Sequence, residues 1–369
     1  MSAFFMPSTY VEKIIQPGIL DWSIDIPEPV DLIDLTVGQP DFEVLPQAAE
    51  AVYKAVNNGH NKYTDSQGVS ELRKMILKEH FGVSECNFDV VVTNGVTSGI
   101  FLVLMTCLNK GDQILLTDPY FVQYKIISDI FHLDVNLIDT YPNFELTFEK
   151  FKKNVTSETK AIILNYPNNP TGCSIDDIEF EQIVKFCKKN NIIIIFDEIY
   201  NSFYYNKKRF NLEMRDNIVV LGGFSKNYCV TGWRLGYIIA DKKIVMYLTE
   251  LQAQMCQGVN SVCQYAMIDL LKYDMKEMYE EYYKRYLFIK ENLDKKYDIS
   301  NSQGGFFFFI KVPEHLEMSS TQFCCMMKKK GVLLVPGFVF SSKDTHFRLA
   351  ICKPIKVLER AVKLLNDVL

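Results

Sequence analysis

The chain has 369 residues, 48% of them hydrophobic, and its 40 basic and 45 acidic side chains leave a net charge of −5. That length supports a large core and more than one domain, and charge spread along the chain argues against a nucleic-acid or membrane-surface partner, leaving small molecules. Ten cysteines without a CxxC pair and five separated histidines (His60, His80, His132, His315, His346) argue against a disulfide framework or a His-based metal site.

The opening MSAFFMPSTYVEKII has neither a basic start followed by a sustained apolar stretch nor a small-residue cleavage site, and no later apolar run reaches the length of a membrane span. A cytoplasmic protein is expected. Residues 1–45, with scattered prolines and isolated apolar residues, read as an arm that also joins a smaller domain. From 46 to 275, short β-branched runs alternate with amphipathic helical patterns, the signature of a mostly parallel sheet covered by helices. Seven strands are predicted, at 89–93, 113–118, 133–139, 160–165, 191–197, 217–224 and 235–240. Residues 276–369 change pattern to a long Tyr-rich helix, GGFFFFIKV (304–312), a Lys-rich helix, GVLLVPG (331–337), THFRLAI (345–351) and a final helix. The predicted fold class is therefore α/β, with a large domain over 46–275 and a smaller α+β domain over 276–369.

Four stretches of the large domain carry polar groups at strand ends. In VVVTNGVTSGIFLVLMTCL (90–108) a strand meets Asn94-Gly95 and then an apolar helix. Free backbone N–H groups and a positive helix end then face one point, which suits phosphate but is shared by many α/β proteins. In NYPNNPTG (165–172) two prolines and a glycine force a rigid turn that can hold a short amide still, with Asn168 and Asn169 competing for the place. In IIIIFDEIY (192–200) an apolar strand delivers Asp197 to its end, where a buried carboxylate is costly unless paired. The plainer reading is a helix N-cap followed by a core tyrosine, Tyr200. In GGFSKNYCVTGWRLGYIIA (222–240) a strand ends at Ser225-Lys226, and Arg234 follows eight residues later. A lysine at a strand end in a partly desolvated site loses its proton readily and becomes a nucleophile toward an aldehyde.

In this order and spacing the motifs resemble the fold-type-I aminotransferases (aminotransferase class I/II), which use pyridoxal 5′-phosphate (PLP) and carry S-K-x-x-x-x-x-G-x-R-x-G around the cofactor lysine. The resemblance runs from Val37 to Ala350. It implies that Lys226 holds PLP as an internal aldimine and that Arg234 binds its phosphate. Asp197 would pair with the pyridine nitrogen and keep the ring an electron sink, while Tyr200 and Asn169 bond the phenolic oxygen, the N-P-T-G register favouring Asn169. Gly95, Val96 and Thr97 would contact the phosphate, the Thr97 hydroxyl as an added donor, and Phe121 in DPYFVQY (118–124) would stack on the ring. Gly38 in VGQPDF (37–42) lets backbone approach the substrate carboxylate. By the same resemblance Arg348 would grip that carboxylate through two parallel hydrogen bonds, a geometry lysine cannot supply. Tyr63 in KYTDSQGVSELR (62–73) would reach the phosphate of the other subunit's site, implying a homodimer.

The resemblance implies transfer of an amino group from an L-amino acid to a 2-oxo acid, with Lys226, Asp197 and Tyr200 as catalytic residues. The same fold and lysine also support elimination, cyclisation or oxygen-dependent oxidation of an arginine-type substrate, and the motifs do not separate these. Two departures stand out. Gly223 occupies the place where the family has Ser or Thr three residues before the lysine, so Ser225 substitutes as a phosphate donor or the phosphate has one bond fewer. Residues 252–266 contain no Arg of the kind that aspartate-specific relatives contribute from the partner subunit.

Overall fold

The computed structural model describes Ser8 and residues 29–83, 86–205 and 215–369; the rest of the opening segment and most of the expected arm lie outside the described residues. A short strand, β1 (Ile33–Asp34), precedes seven that form the central sheet: β2 (Phe88–Thr93), β3 (Gln113–Asp118), β4 (Asp134–Asp139), β5 (Thr159–Asn165), β6 (Ile193–Asp197), β7 (Ile218–Gly223) and β8 (Gly236–Asp241). Their order is β2-β8-β7-β6-β5-β3-β4, and β8 alone runs antiparallel to its neighbours.

The near-continuous apolar character of these strands has a direct cause, because alternate residues enter two separate cores. Leu115, Ile162, Leu164, Ile194 and Phe196 pack on one face with Leu72, Phe151 and Phe180. Ile114, Ile163, Ile195 and Leu221 pack on the other with Ile100, Leu104 and Leu248. A sheet covered on both sides has no solvent face to make polar. Since β2, β3, β5, β6 and β7 run the same way, their C-terminal ends emerge along one edge, where open α/β sheets gather ligands.

The C-terminal part is built on a second sheet. Helix Lys276–Asn292 leads to β9 (Asp298–Ile299), β10 (Phe307–Lys311), β11 (Val332–Leu333), β12 (Val335–Pro336) and β13 (His346–Ala350). Four of these form an antiparallel sheet in the order β12-β13-β10-β9, while β11 pairs in parallel with β1. Ile33 and Leu35 thus share a core with Phe306, Phe308, Phe323 and Leu349. The last helix, Ile355–Asn366, buries Leu358, Ala361, Val362 and Leu365, a spacing that keeps one apolar stripe on that core.

Candidate active site

The strand ends and the antiparallel sheet enclose a cavity of about 400 Å³. Its floor is Asp197, the last residue of β6 and 3% exposed. Burial raises its carboxyl to a pKa of about 6, opposed by hydrogen bonds from the Tyr124 hydroxyl and the Ile199 backbone N–H. The Tyr124 contact is 2.7 Å long. No cation pairs with Asp197 among the described residues, so a buried carboxylate faces the cavity with only neutral donors. Asn165, at the end of β5, donates to the Asp197 carbonyl at 3.0 Å and accepts from the Asn169 backbone N–H at 2.8 Å, tying the turn to the floor. Asn168 accepts from Thr171 N and Oγ1 within that turn, while Asn169 lines the cavity.

Lys226 follows β7 and is half-buried, with its amine turned onto the Gly38 carbonyl at 2.6 Å. Burial, with smaller contributions from Arg234 and Arg348, lowers its pKa to about 8. Arg234 adopts a left-handed backbone (φ 52°), and its Nη1 donates to the Thr231 carbonyl at 2.9 Å. Its other terminal nitrogen lies against Gly95, the first residue of helix Gly95–Cys107, where a Cβ would come within 2.8 Å of it. Gly95 has φ +78°, so the backbone favours glycine there, and its open side leaves room for the Arg234 guanidinium.

The opposite wall comes from the antiparallel sheet. Arg348 lies in the middle of β13, 2% exposed, with its guanidinium carbon 4.4 Å from the Phe307 ring centre and 4.5 Å from that of Phe340. It donates to Asn169 Oδ1 at 2.8 Å and to the Thr36 carbonyl at 2.5 Å, and its Nε has no acceptor among the described residues. Burial lowers its pKa to about 10, and no carboxylate pairs with it among the described residues. A buried guanidinium in this state is costly until an anion arrives. Gly38 closes the wall: a Cβ there would sit 2.2 Å from Phe307 Cζ. The segment that carries it is anchored by Asp41, which accepts from Arg285 at 2.6 Å and from the Tyr282 hydroxyl at 3.0 Å.

Of the residues singled out by sequence, Gly38, Val96, Thr97, Phe121, Asn169, Asp197, Tyr200, Ser225, Lys226, Arg234 and Arg348 line this cavity, and Gly95 adjoins it through Arg234. Tyr63 does not; it is 85% exposed on the outside of the chain. The Thr97 hydroxyl, expected as a phosphate donor, instead donates to Gln123 Oε1 at 2.9 Å. At Gly223 a Cβ would meet both Ile199 Cδ1 and the Leu235 carbonyl at 3.2 Å, so a side chain there would be crowded. Sequence reasoning missed Tyr124, Asn165 and Gln123. Tyr124 ends the DPYFVQY stretch that carries Phe121, and Asn165 opens the NYPNNPTG stretch, whereas Gln123 had no comparable signal.

The donor set fits PLP. An uncompensated carboxylate on the floor suits a protonated ring nitrogen, and the helix start beside Arg234 suits a phosphate. The family model for "Aminotransferase class I and II" matches residues 30–365. The chain is 33% identical over 350 residues to the aspartate aminotransferase of Thermotoga maritima, covering 92% of each protein. It is 28% identical to a probable N-acetyl-LL-diaminopimelate aminotransferase of Bacillus subtilis, covering 88% of this chain and 86% of that one. The crystal structure of the Thermotoga maritima aspartate aminotransferase superposes with a TM-score of 0.88 at 30% identity, covering 98% of this chain and 99% of that one. The chain belongs to the class I and II aminotransferases and is a PLP-dependent enzyme that transfers amino groups.

Proposed function

We propose that this cavity transfers the amino group of an L-amino acid to a 2-oxo acid, with Lys226 as both the attachment point of PLP and the base. The cofactor, when bound, supplies an aldehyde that takes up the amino group and a ring that withdraws electrons from the α-carbon. Asp197 remains ionised at neutral pH and holds the ring nitrogen protonated, and Tyr124 and the Ile199 N–H hold Asp197. The buried Tyr200 hydroxyl, with its pKa raised by desolvation, stays protonated and donates to the phenolic oxygen beside Asn169. Phe121 covers the ring. The Gly95–Thr97 backbone, Ser225 and Arg234 take the phosphate. Arg348 binds the α-carboxylate, and the backbone at Gly38 lets it approach. Lys226 Nζ, with a pKa near 8, is deprotonated in part at neutral pH and, once the donor's amino group has displaced it from the aldehyde carbon, would be the base that takes the α-proton.

The observation that carries this reading is one cavity joining a lowered-pKa lysine with a buried carboxylate and a buried guanidinium that have, among the described residues, no cation and no anion as partners. A dicarboxylic amino donor is supported by the likeness to the Thermotoga maritima enzyme. A homodimer is supported by the outward-facing Tyr63, and a reducing cytoplasmic setting by ten free cysteines. The division at 45 and 275 is supported by the separate cores of the two sheets, with β1 joined to the C-terminal one. The test is a single-turnover experiment with one amino acid and no oxo acid. Transamination yields one 2-oxo acid per site and then stops until an oxo acid is added; continuous release of ammonia or peroxide would move the enzyme to the elimination or oxidation class.

A further inference from the structure

Helix Val122–Ile130 begins beside the cavity and presents Gln123 and Tyr124 to it, with Phe121 just before its first turn. Tyr124 is committed to Asp197, and Phe121 packs edge-on against Tyr124 with ring centres 5.5 Å apart. Gln123 is different. Its Oε1 accepts the Thr97 hydroxyl at 2.9 Å, and a ligand carboxylate facing the other end of the amide selects the same orientation, because it can accept only from the NH₂ group. Thr97 stands in the first turn of helix Gly95–Cys107, the end assigned above to the phosphate. With the oxygen turned toward that helix, the NH₂ end of this cavity-lining residue is turned away from it.

We propose that Gln123 is a specificity-determining residue, whose Nε2 donates to an oxygen on the side chain of the amino donor, a carboxylate or carboxamide. Thr97 acts as its positioning residue. The inference rests on the cavity reading given under Proposed function and adds the substrate's side-chain end to it. A neutral amide held this way supplies the directional bond for an oxygen-bearing side chain without the second arginine that residues 252–266 lack.

The test uses the PLP-loaded enzyme and two unreactive ligands, succinate with two carboxylates and propionate with one. Dissociation constants are read from the change in cofactor absorbance. Gln123→Glu keeps the volume and an acceptor for Thr97 but replaces the donor with an anionic oxygen; Gln123→Leu removes both. Succinate binding is expected to weaken about 10- to 100-fold in both variants, the scale of one hydrogen bond to a charged group, while propionate binding changes by less than about threefold. The kcat/KM ratio of aspartate to alanine falls in parallel. Thr97→Val, which frees the amide to rotate, weakens succinate in the same sense, and Thr97→Ser restores it. Equal weakening of both ligands would overturn the proposal. So would a fall in PLP affinity with the succinate preference intact, which would place the amide on the phosphate. Failure of the wild-type enzyme to convert any amino acid to its oxo acid would count against the transamination reading instead, and the ligand-binding result stands apart from that outcome.

Discussion

The two walls of the cavity are made in opposite ways. The central sheet offers its groups from strand ends, with Asp197 closing β6, Lys226 just past β7 and Asn169 in the turn after β5. The antiparallel sheet offers Arg348 from the middle of a strand, clamped between Phe307 and Phe340. A strand end has free space and unpaired backbone, so it suits groups that do chemistry on a ligand. Mid-strand placement instead fixes a long side chain by its neighbours, which suits a group that must hold an anion in one orientation. Floor residues should accordingly govern turnover and cofactor affinity, and wall residues KM.

The sharpest way to break that division is at the floor. Lys226→Ala is expected to lower kcat by at least about 10⁴-fold while leaving the protein folded. Asp197→Ala should lower kcat by about 10²- to 10³-fold and weaken PLP, as expected when one partner of a buried charge pair is removed. On the wall, Arg348→Lys should cost about 10- to 100-fold in kcat/KM, carried mainly by KM, because a single ammonium cannot reproduce the paired bonds. A kcat loss without a KM change there would contradict the division.

Smaller effects sharpen it. Tyr124→Phe removes a donor that lowers the Asp197 pKa, so in the PLP-free protein that pKa moves up from about 6. The expected loss of kcat at neutral pH is about tenfold. The smallest effect is on the stability of the PLP-free protein. Lys226 has a folded pKa of about 8 against an ordinary 10.5, so between those values the unfolded chain binds more protons. Stability from this group therefore rises as pH rises from about 8 to 10.5, and a Lys226→Met variant should lack that part of the slope in thermal melts.

Much of this was legible before any coordinates. The seven strands of the central sheet announce themselves because parallel strands covered on both faces are continuously apolar, and their ends are marked by Asp197, Asn165-Tyr166-Pro167 and Ser225-Lys226. Arg348 was legible through its motif, but its clamp was not, since Phe340 lies outside that strand and meets it only in the folded sheet. Gln123 was illegible for a related reason, since its partner Thr97 sits on another helix. Asn165 was visible as the end of its strand, but its bonds to the Asp197 carbonyl and the Asn169 N–H were not. The Gly223 departure has a steric side that sequence could not show, because Ile199 and Leu235 crowd the position from outside the motif.

The central claim is that the floor lysine, and no other, carries the cofactor. Borohydride reduction of the PLP-loaded enzyme, followed by proteolysis and peptide mass mapping, fixes the cofactor to the amine that holds it. The account predicts the label on the peptide containing Lys226 and its loss in Lys226→Ala. A label on any other lysine of the wild-type chain would contradict it.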